Sequence, residues 1–529
     1  MALSREVYRM LEAVVGPENI SEDPAVLDGY NYCWGGEYMF PPYVRKFKPF
    51  GPGAVVLPGS TEEVQGILKV CNKYKLRSKA HSTGWLMLAL TLSPDAIMID
   101  LRRMNRILEI DEKNMHAIVE PYVSGAQLLA EIWKKNMNFN IIGAGPNCSV
   151  LATATSVMGN GYNNLTMGLN ERNPLGVEWV LPTGDILRLG SLGSGAGWFT
   201  GDGPGPSLRG LMRGLWGTLG GLGVFTKCAI KLYHWPCESQ LPIAPIGRPR
   251  RYTWAKGAQM PENTALCFLA FDNLEQRNNA IWAIGEAEVG YATGFFERGL
   301  MTLIVGRYNI DRINVIEARV SEVLPEFNFT LLLCCNSKRE FEYQKKTINE
   351  ILAKTGGEIY PLEPELESML YLLMVHGGNI PARIAFGSSA SFLPILSNSL
   401  VTRNILPTMV KISQDLKKPF IKKGLIVDDM GEGGWGSMMD YCHMGIYENE
   451  TMYNPIDSDS NEALIECAAQ INAKMEEKNI EVAFLGRRLL LKKSMHDDTG
   501  PLLGNYQVWQ EKMKAAFDPN IASDPFTYA

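Results

Sequence analysis

Long apolar runs are missing from this chain. No segment of its 529 residues reaches the 18 or so consecutive apolar residues that cross a bilayer, so no membrane span is expected. Basic charge is short as well. The 51 Lys and Arg are outnumbered by 57 Asp and Glu, a formal net charge of −6, which leaves no basic face for nucleic acid. Cysteines at metal spacing are absent. The ten, Cys33, Cys71, Cys148, Cys228, Cys237, Cys267, Cys334, Cys335, Cys442 and Cys467, contain no CxxC, so no metal is expected and they read as buried thiols in a reducing cytoplasm. The opening "MALSREVYRMLEAV" has charge in every turn and no apolar core, unlike a secretory signal. Two phosphate loops are absent too. There is no GxxxxGK followed by Ser or Thr, and no GxGxxG between an early strand and a helix, which disfavours a P-loop kinase or a Rossmann NAD enzyme.

What is there alternates strands with capped helices. Leu3, Val7, Leu11 and Val14 mark one face of an N-terminal amphipathic helix. "AVVLPGS" reads as a strand, and Ser60 with Glu63 has capping-box spacing before a helix through Val64, Ile67, Leu68 and Cys71. Strands follow at "AIMIDL", "RILEI" and "HAIVEP", then a second capped helix at Ser124 and Gln127. "GVEWVLPTGDILRLG" predicts a hairpin turning at Pro182-Thr183-Gly184. Beyond Pro236 glycine thins out and helices alternate with strands, among them "NLEQRNNAIWAIGEAE", "TLIVGRYN" and "NVIEARVSEVLPEF". "NEALIECAAQINAKMEEKN" and "NYQVWQEKMKAAF" predict two late helices, the second stopped at Asp518-Pro519. The fold class expected is α+β, with a second domain after residue 236.

Two stretches carry little side-chain bulk. "KAHSTGW" offers the amides of Ala80, Ser82, Thr83 and Gly84 with two hydroxyls, and "IIGAGPNCSVLATATSVMGNGYNN" is a long loop of small residues. Bare amides of this kind let a backbone approach an anion closely, which suits a pyrophosphate.

The order of these segments resembles the flavoproteins typified by vanillyl-alcohol oxidase and para-cresol methylhydroxylase, with their PCMH-type FAD-binding domain. "AVVLPGSTEEVQGILKVCNKYKLRSKAHSTGW", "IDLRRMNRILEID", "AIVEPYVSGAQLLAEI", "SVMGNGYNN", "GVEWVLPTGDILRLG" and "GGLGVFTKCAIKL" carry the likeness, and "WQEKMKAAFDPN" returns to it. The resemblance implies a two-subdomain FAD-binding domain over 1–236, an α/β substrate (cap) domain with an antiparallel sheet over 237–485, and a segment 486–529 that returns to the first. It implies FAD held by Lys79, Ala80, His81, Ser82, Thr83, Gly84 and Trp85, where Lys79 stands at the family's loop arginine. The second loop maps to Pro146 through Gly161, with Thr153, Ser156, Gly159 and Asn160. The adenine-side strand maps to Gly223, Val224 and Thr226.

The same resemblance bears on chemistry. Relatives that tether FAD through this loop use the position of Thr83, so His81 stands two residues early. "FGSSASFLPI", matched to a second tethering segment, offers only Ser and Ala there. Noncovalent FAD is expected. The acid of phenol-oxidising relatives maps to Asn170, with Glu171 beside it. Tyr441, His443 and Arg488 complete the candidate catalytic set, with His443 on a strand-like run. "LGNYQVWQEK" keeps Tyr506 but lacks the relatives' arginine, and the His-x-Gly-Asp-Gly-Asn-x-His of hydroxy-acid members is absent. "DDMGEGGWGSMMD" reads as a lid or a long hairpin. The activity implied is an FAD-dependent dehydrogenase, or an oxidase, acting on an alcohol or phenol-like substrate. Its electrons would pass to dioxygen, a carrier protein or an iron–sulfur subunit, in a homo-oligomer. The alternatives are a transferase like the alkyl-glycerone-phosphate synthases, with Arg248, Arg250 and Arg251 as its phosphate group, and a non-catalytic FAD-binding subunit.

Overall fold

A computed structural model describes residues 3–30, 51–84, 91, 93–140, 146–157, 159–203, 207–212, 218, 220–237, 260–299, 320–377, 391–394, 399–402, 404, 406–430, 434–454, 457–478 and 505–524. The first sheet holds β1 (Ile20–Ser21), β2 (Ala54–Val56), β3 (Ser78–His81) and β4 (Ile97–Asp100) in the order β1-β2-β4-β3. β4 runs parallel to both β2 and β3. The helix Thr61–Tyr74 starts at Ser60, whose hydroxyl accepts from the Glu63 amide at 3.2 Å. The Glu63 carboxylate reaches back to the Gly59 amide at 2.7 Å, one residue earlier than a capping box requires. Its buried Val64, Ile67, Leu68 and Cys71 pack with β2, β4 and the helix Arg5–Val15. That N-terminal helix buries Val7, Leu11 and Val15, while Val14 is only half-buried, because an i, i+4 stripe is what meets the sheet.

The second sheet contains β5 (Ile107–Asp111), β6 (His116–Val119), β8 (Pro174–Val180), β9 (Ile186–Leu189) and β10 (Val224–Lys231), in the order β5-β6-β10-β8-β9. A small ladder pairs β7 (Met137–Asn138) with β11 (Tyr233–His234). The β8–β9 hairpin turns where the sequence predicts. The Leu181 amide donates to the Asp185 carbonyl at 2.8 Å, and Gly184 takes φ +88°, a left-handed conformation glycine adopts without a Cβ penalty. The Gly-rich stretch after residue 140 does contain helix, contrary to expectation. Ser149 caps a short one, Val150–Thr155, by accepting from the Ala152 amide.

The third sheet is antiparallel and holds β12 (Thr264–Phe271), β13 (Ala292–Phe296), β14 (Phe327–Cys334), β15 (Glu358–Ile359), β16 (Ser391–Pro394), β17 (Ser399–Thr402), β18 (Gly434–Met439) and β19 (Met444–Tyr453). Its order is β15-β12-β14-β13-β18-β19-β16, with β17 also on β19. Alternation along these strands gives the sheet two apolar faces. Leu269, Phe295 and Leu331 face the helices Leu274–Glu286 and Lys338–Thr355 through Ile281, Ile348 and Leu352. Leu266, Phe268, Phe296, Leu332 and Trp435 share a core with Trp179, Leu222 and Trp235 of the N-terminal half. Each large side chain sealed there contributes about 1.5–3 kcal/mol.

The helix Tyr506–Phe517 stops at Asp518-Pro519 and stacks Phe517 on Trp179, with ring centroids 5.8 Å apart. The chain then runs beside β3. The Ser78 amide donates to the Ala522 carbonyl and the Asp524 amide to the Ser78 carbonyl, both at 2.8 Å. The expected strand at 302–309 lies outside the described residues, as does most of the helix expected after it; Val320–Val323 is a 3-10 turn. Among the described residues nine cysteines are free and buried, with Cys33 outside them. Among them also, no helix is long and apolar enough to cross a membrane and no His, Cys, Asp and Glu group is placed to hold a metal.

Candidate functional site

β2, β3 and β4 all point their carboxyl ends the same way, and the crevice outside such ends is where open parallel sheets take ligands. The first loop leaves from there. Ala80, His81, Ser82, Thr83 and Gly84 are half-buried, and Gly84 sits at φ +64°. His81 pairs with Asp100 across the strands and meets Tyr30 edge-on at 5.4 Å. Asp100 is fully buried and accepts from the Tyr30 hydroxyl at 2.6 Å and from Arg102 Nη2 and Nε at 2.6 and 2.9 Å. Burial, then Asp100 itself, pushes the Tyr30 hydroxyl up. Trp85 lies outside the described residues.

Lys79 is buried on β3. Its stem runs beside Gly220, where a Cβ would lie 3.4 Å from Lys79 Cδ. Burial lowers its pKa to about 8, against the opposing pull of Asp524. Nearby, Lys514 donates to the Gly221 carbonyl at 2.7 Å and holds Asp518 at 2.5 Å. The Gly223 amide donates to Ser523 Oγ at 2.9 Å. Val224 is buried, and the Thr226 hydroxyl lies 3.2 Å from Glu178, which also takes Thr61 and Lys227. Lys79, Gly223 and Thr226 thus all meet groups of the chain itself.

The second loop is stiffened from behind. The Pro146 carbonyl accepts from the Ala126 amide at 2.7 Å. Thr153 Oγ1 donates to Ser149 and Val150 carbonyls, and Ser156 lies 3.3 Å from the Thr155 hydroxyl. Asn170 Nδ2 donates to Thr153 Oγ1 at 2.9 Å, and Glu171 Oε2 accepts from the Gly159 amide at 3.2 Å. Asn170 and Glu171, expected to act in catalysis, are therefore buried buttresses of the loop. Gly159 has no room for a side chain, since a Cβ would sit 2.6 Å from Asn170 Cβ and 2.7 Å from the Thr153 carbonyl.

Residues on and around this loop have unmet hydrogen-bonding capacity. Asn160 Oδ1 accepts from Asn164 Nδ2, which leaves Asn160 Nδ2 buried and without a partner. Asn140, Asn147, Asn163 and Asn170 each leave Oδ1 buried and unpartnered. A buried polar group left unpaired costs about 1–3 kcal/mol, so five between residues 140 and 170 call for a partner, which a bound polar ligand would supply. One donor and several acceptors suit a molecule with both carbonyls and hydroxyls, and FAD fits that description.

The third sheet closes over the same loop. The Thr293 amide donates to the Tyr162 carbonyl at 3.1 Å, Ser437 Oγ to the Gly161 carbonyl at 3.0 Å, and Trp435 Nε1 to Tyr162 Oη at 2.8 Å. Phe296 lies 5.4 Å from the Tyr162 ring. Tyr162, Asn164, Trp435 and Ser437 escaped the sequence reading, though alternation in "GWGSMM" carries the signal for the last two.

Tyr441 and His443 are brought to the edge of this region and exposed there. His443 is not on a strand, because Asp440, Tyr441 and Cys442 take φ of 51°, 48° and 63° and close a turn before β19 begins. The "GWGSMM" stretch is thus one arm of a hairpin. Its turn docks on the short helix Asn164–Met167, with Asp440 and Tyr441 amides on the Asn164 and Leu165 carbonyls and Asp440 paired to Arg172. Arg488, the arginines at 248, 250 and 251, and most of "FGSSASFLPI" lie outside the described residues.

Comparison with known proteins agrees with this geometry. Residues 52–190 match the family described as FAD binding domain. The chain is similar to glycolate oxidase subunit GlcD of Bacillus subtilis, 23% identical over 99% of this chain and 96% of that one. It is similar to the 4-cresol dehydrogenase (hydroxylating) flavoprotein subunit of Pseudomonas putida, 27% identical over 46% of this chain and 44% of that one. Its fold is that of the 4-ethylphenol oxidase of Gulosibacter chungangensis, with a TM-score of 0.72 at 18% identity over 99% and 98% of the two chains. The expected PCMH-type resemblance and the mixed α/β fold with antiparallel sheets are both borne out.

Proposed function

We propose that this FAD-linked oxidoreductase removes two electrons and a proton, as hydride, from an alcohol or phenol-like small organic substrate and hands the electrons to a separate acceptor, as a dehydrogenase does. The observation that carries the reading is the loop 159–164, which holds the buried, unpartnered Asn160 Nδ2 and Asn163 Oδ1 and packs against β18 of the third sheet. FAD, when bound, supplies the two-electron acceptor chemistry. Ser82, Thr83 and Gly84 would hold it from the first loop, and Gly159, Asn160, Gly161 and Asn163 from the second. Residues 237–485 form the substrate domain in this reading, and 486–529 return to the FAD-binding domain. Trp435, Tyr162 and Phe296 give the substrate an apolar, aromatic wall, and excluding water there strengthens every polar contact made inside. The cofactor is held noncovalently, with His81 packed on Tyr30. A separate acceptor protein, or an iron–sulfur subunit, and assembly into a homo-oligomer accompany the proposal. Similarity to proteins named as subunits supports the former.

Purified protein should be yellow and release FAD into the supernatant on acid precipitation. Anaerobic bleaching by aromatic alcohols, rather than by 2-hydroxy acids, is the expected outcome. A colourless protein that takes up no FAD on reconstitution would refute the reading.

A further inference from the structure

The N-terminal segment reaches the first loop from the far edge of its sheet. β1 is that edge, paired antiparallel to β2 with Ile20 opposite Val56 and Ser21 opposite Val55. The turn after it is fastened through Glu22, which accepts from the Leu3 amide at 2.8 Å and pairs with Arg5 at 3.5 Å. Asp23 then caps the short helix Pro24–Gly29 by accepting from the Ala25 amide at 2.8 Å. Tyr30 follows, and its side chain lands on β4 and β3, the two strands farthest from β1. Residues 20–30 are thus a strap fixed at both ends.

The far end of the strap is locked. Tyr30 Oη donates to Asp100 Oδ2 at 2.6 Å and accepts from Arg102 Nη2 at 2.9 Å. Asp100 is fully buried, and its Oδ1 accepts from the Arg102 amide at 2.9 Å. Hydrogen bonds to a buried charged partner are the strong ones. Burial and Asp100 hold the Tyr30 hydroxyl above its ordinary range, so it remains a donor at neutral pH. The ring meets His81 edge-on at 5.4 Å, and the Leu101 amide donates to the His81 carbonyl at 2.9 Å. His81 is the last residue of β3 and the root of the first loop. The strap and β4 therefore hold that root by side chain and by main chain. Beyond it come Ser82, Thr83 and Gly84, residues too small to brace themselves against a core. A loop already ordered before binding loses less conformational entropy when a ligand arrives.

We propose that Tyr30 is a positioning residue for the cofactor. Locked on Asp100 and Arg102 and set against His81, it keeps Ser82, Thr83 and Gly84 in the conformation that receives the diphosphate of FAD. The proposal rests on the function proposed above and adds the N-terminal strap to the parts that retain the cofactor.

The test times the release of FAD from the full chain, by the rise of free-flavin fluorescence after dilution, for the parent, Tyr30→Phe and Tyr30→Ala. Amide deuterium exchange at residues 82–84 and 159–161 is read on the same proteins after FAD removal. Tyr30→Ala should release FAD about tenfold faster, as expected when a hydrogen bond to a charged group is lost. Its exchange should quicken at 82–84 alone, because Glu171 and Asn164 hold the amides of Gly159 and Gly161. Tyr30→Phe keeps the ring and loses the bond to Asp100. It should fall between the other two, and it serves if the alanine variant fails to fold. Parent-like release by both variants overturns the proposal. Exchange quickened equally in both loops overturns it too, since that would make Tyr30 a general support of the fold. A parent that carries no FAD and takes none up on reconstitution strikes the function proposed above, and this proposal with it.

Discussion

Trp435 Nε1 donates to the phenolic oxygen of Tyr162 at 2.8 Å, their rings 5.8 Å apart and nearly perpendicular. One bond thus joins a strand of the third sheet to the loop that carries Asn160 and Asn163. Edge-to-face aromatic pairs contribute about 0.5–1.5 kcal/mol beyond their buried area, and the hydrogen bond adds a similar net amount.

Replacing either partner should therefore loosen both halves together. Trp435→Phe and Tyr162→Phe are each expected to destabilise the protein by about 1–2 kcal/mol. Urea unfolding of both singles and the double gives the coupling, expected near 1 kcal/mol. Additive effects would show that the bond does not hold in solution.

Gly159→Ala tests the loop's tightness. A methyl there meets the Thr153 carbonyl at 2.7 Å, and the backbone must shift to admit it. Overpacking of this kind costs about 1–3 kcal/mol. The variant should fold but lose FAD on gel filtration. Retention equal to the parent would place the cofactor elsewhere.

Lys79 supplies a pH signature. Its folded pKa, about 8, lies below the ordinary 10.5. Between those values the unfolded chain binds the proton and the folded one does not. Stability of the apoprotein should therefore rise from pH 8 to pH 10, by roughly 2 kcal/mol from this group. Lys514, also lowered by burial, adds in the same direction. Denaturant titrations at pH 8, 9 and 10 should show a steep rise for the parent and a shallower one for Lys79→Met. Equal slopes would mean that Lys79 reaches solvent.

Most of the scaffold was legible because its signals are local. Ser60 and Ser124 act through amides three residues on, and the hairpin at Gly184 announces itself by composition. The site was legible only as far as its loops. For Asn170 and Glu171 the sequence supplies a position in the chain, but their bonds to Thr153 and the Gly159 amide are something no spacing reveals. Tyr162 and Ser437 are 275 residues apart in sequence, yet Ser437 on β18 bonds the loop that holds Tyr162, a long-range pairing that periodicity does not encode. His443 was misplaced because three left-handed residues in a row have no glycine to betray them.

The ladder between Ser78 and residues 522–524 has a consequence for synthesis. A growing chain that has just emerged with β3 complete lacks the partner for that strand's free edge until more than four hundred further residues have been added. Domains that fold during translation do so from the N-terminal end, so the first sheet of this protein keeps one edge bare until residues 522–524 have left the ribosome.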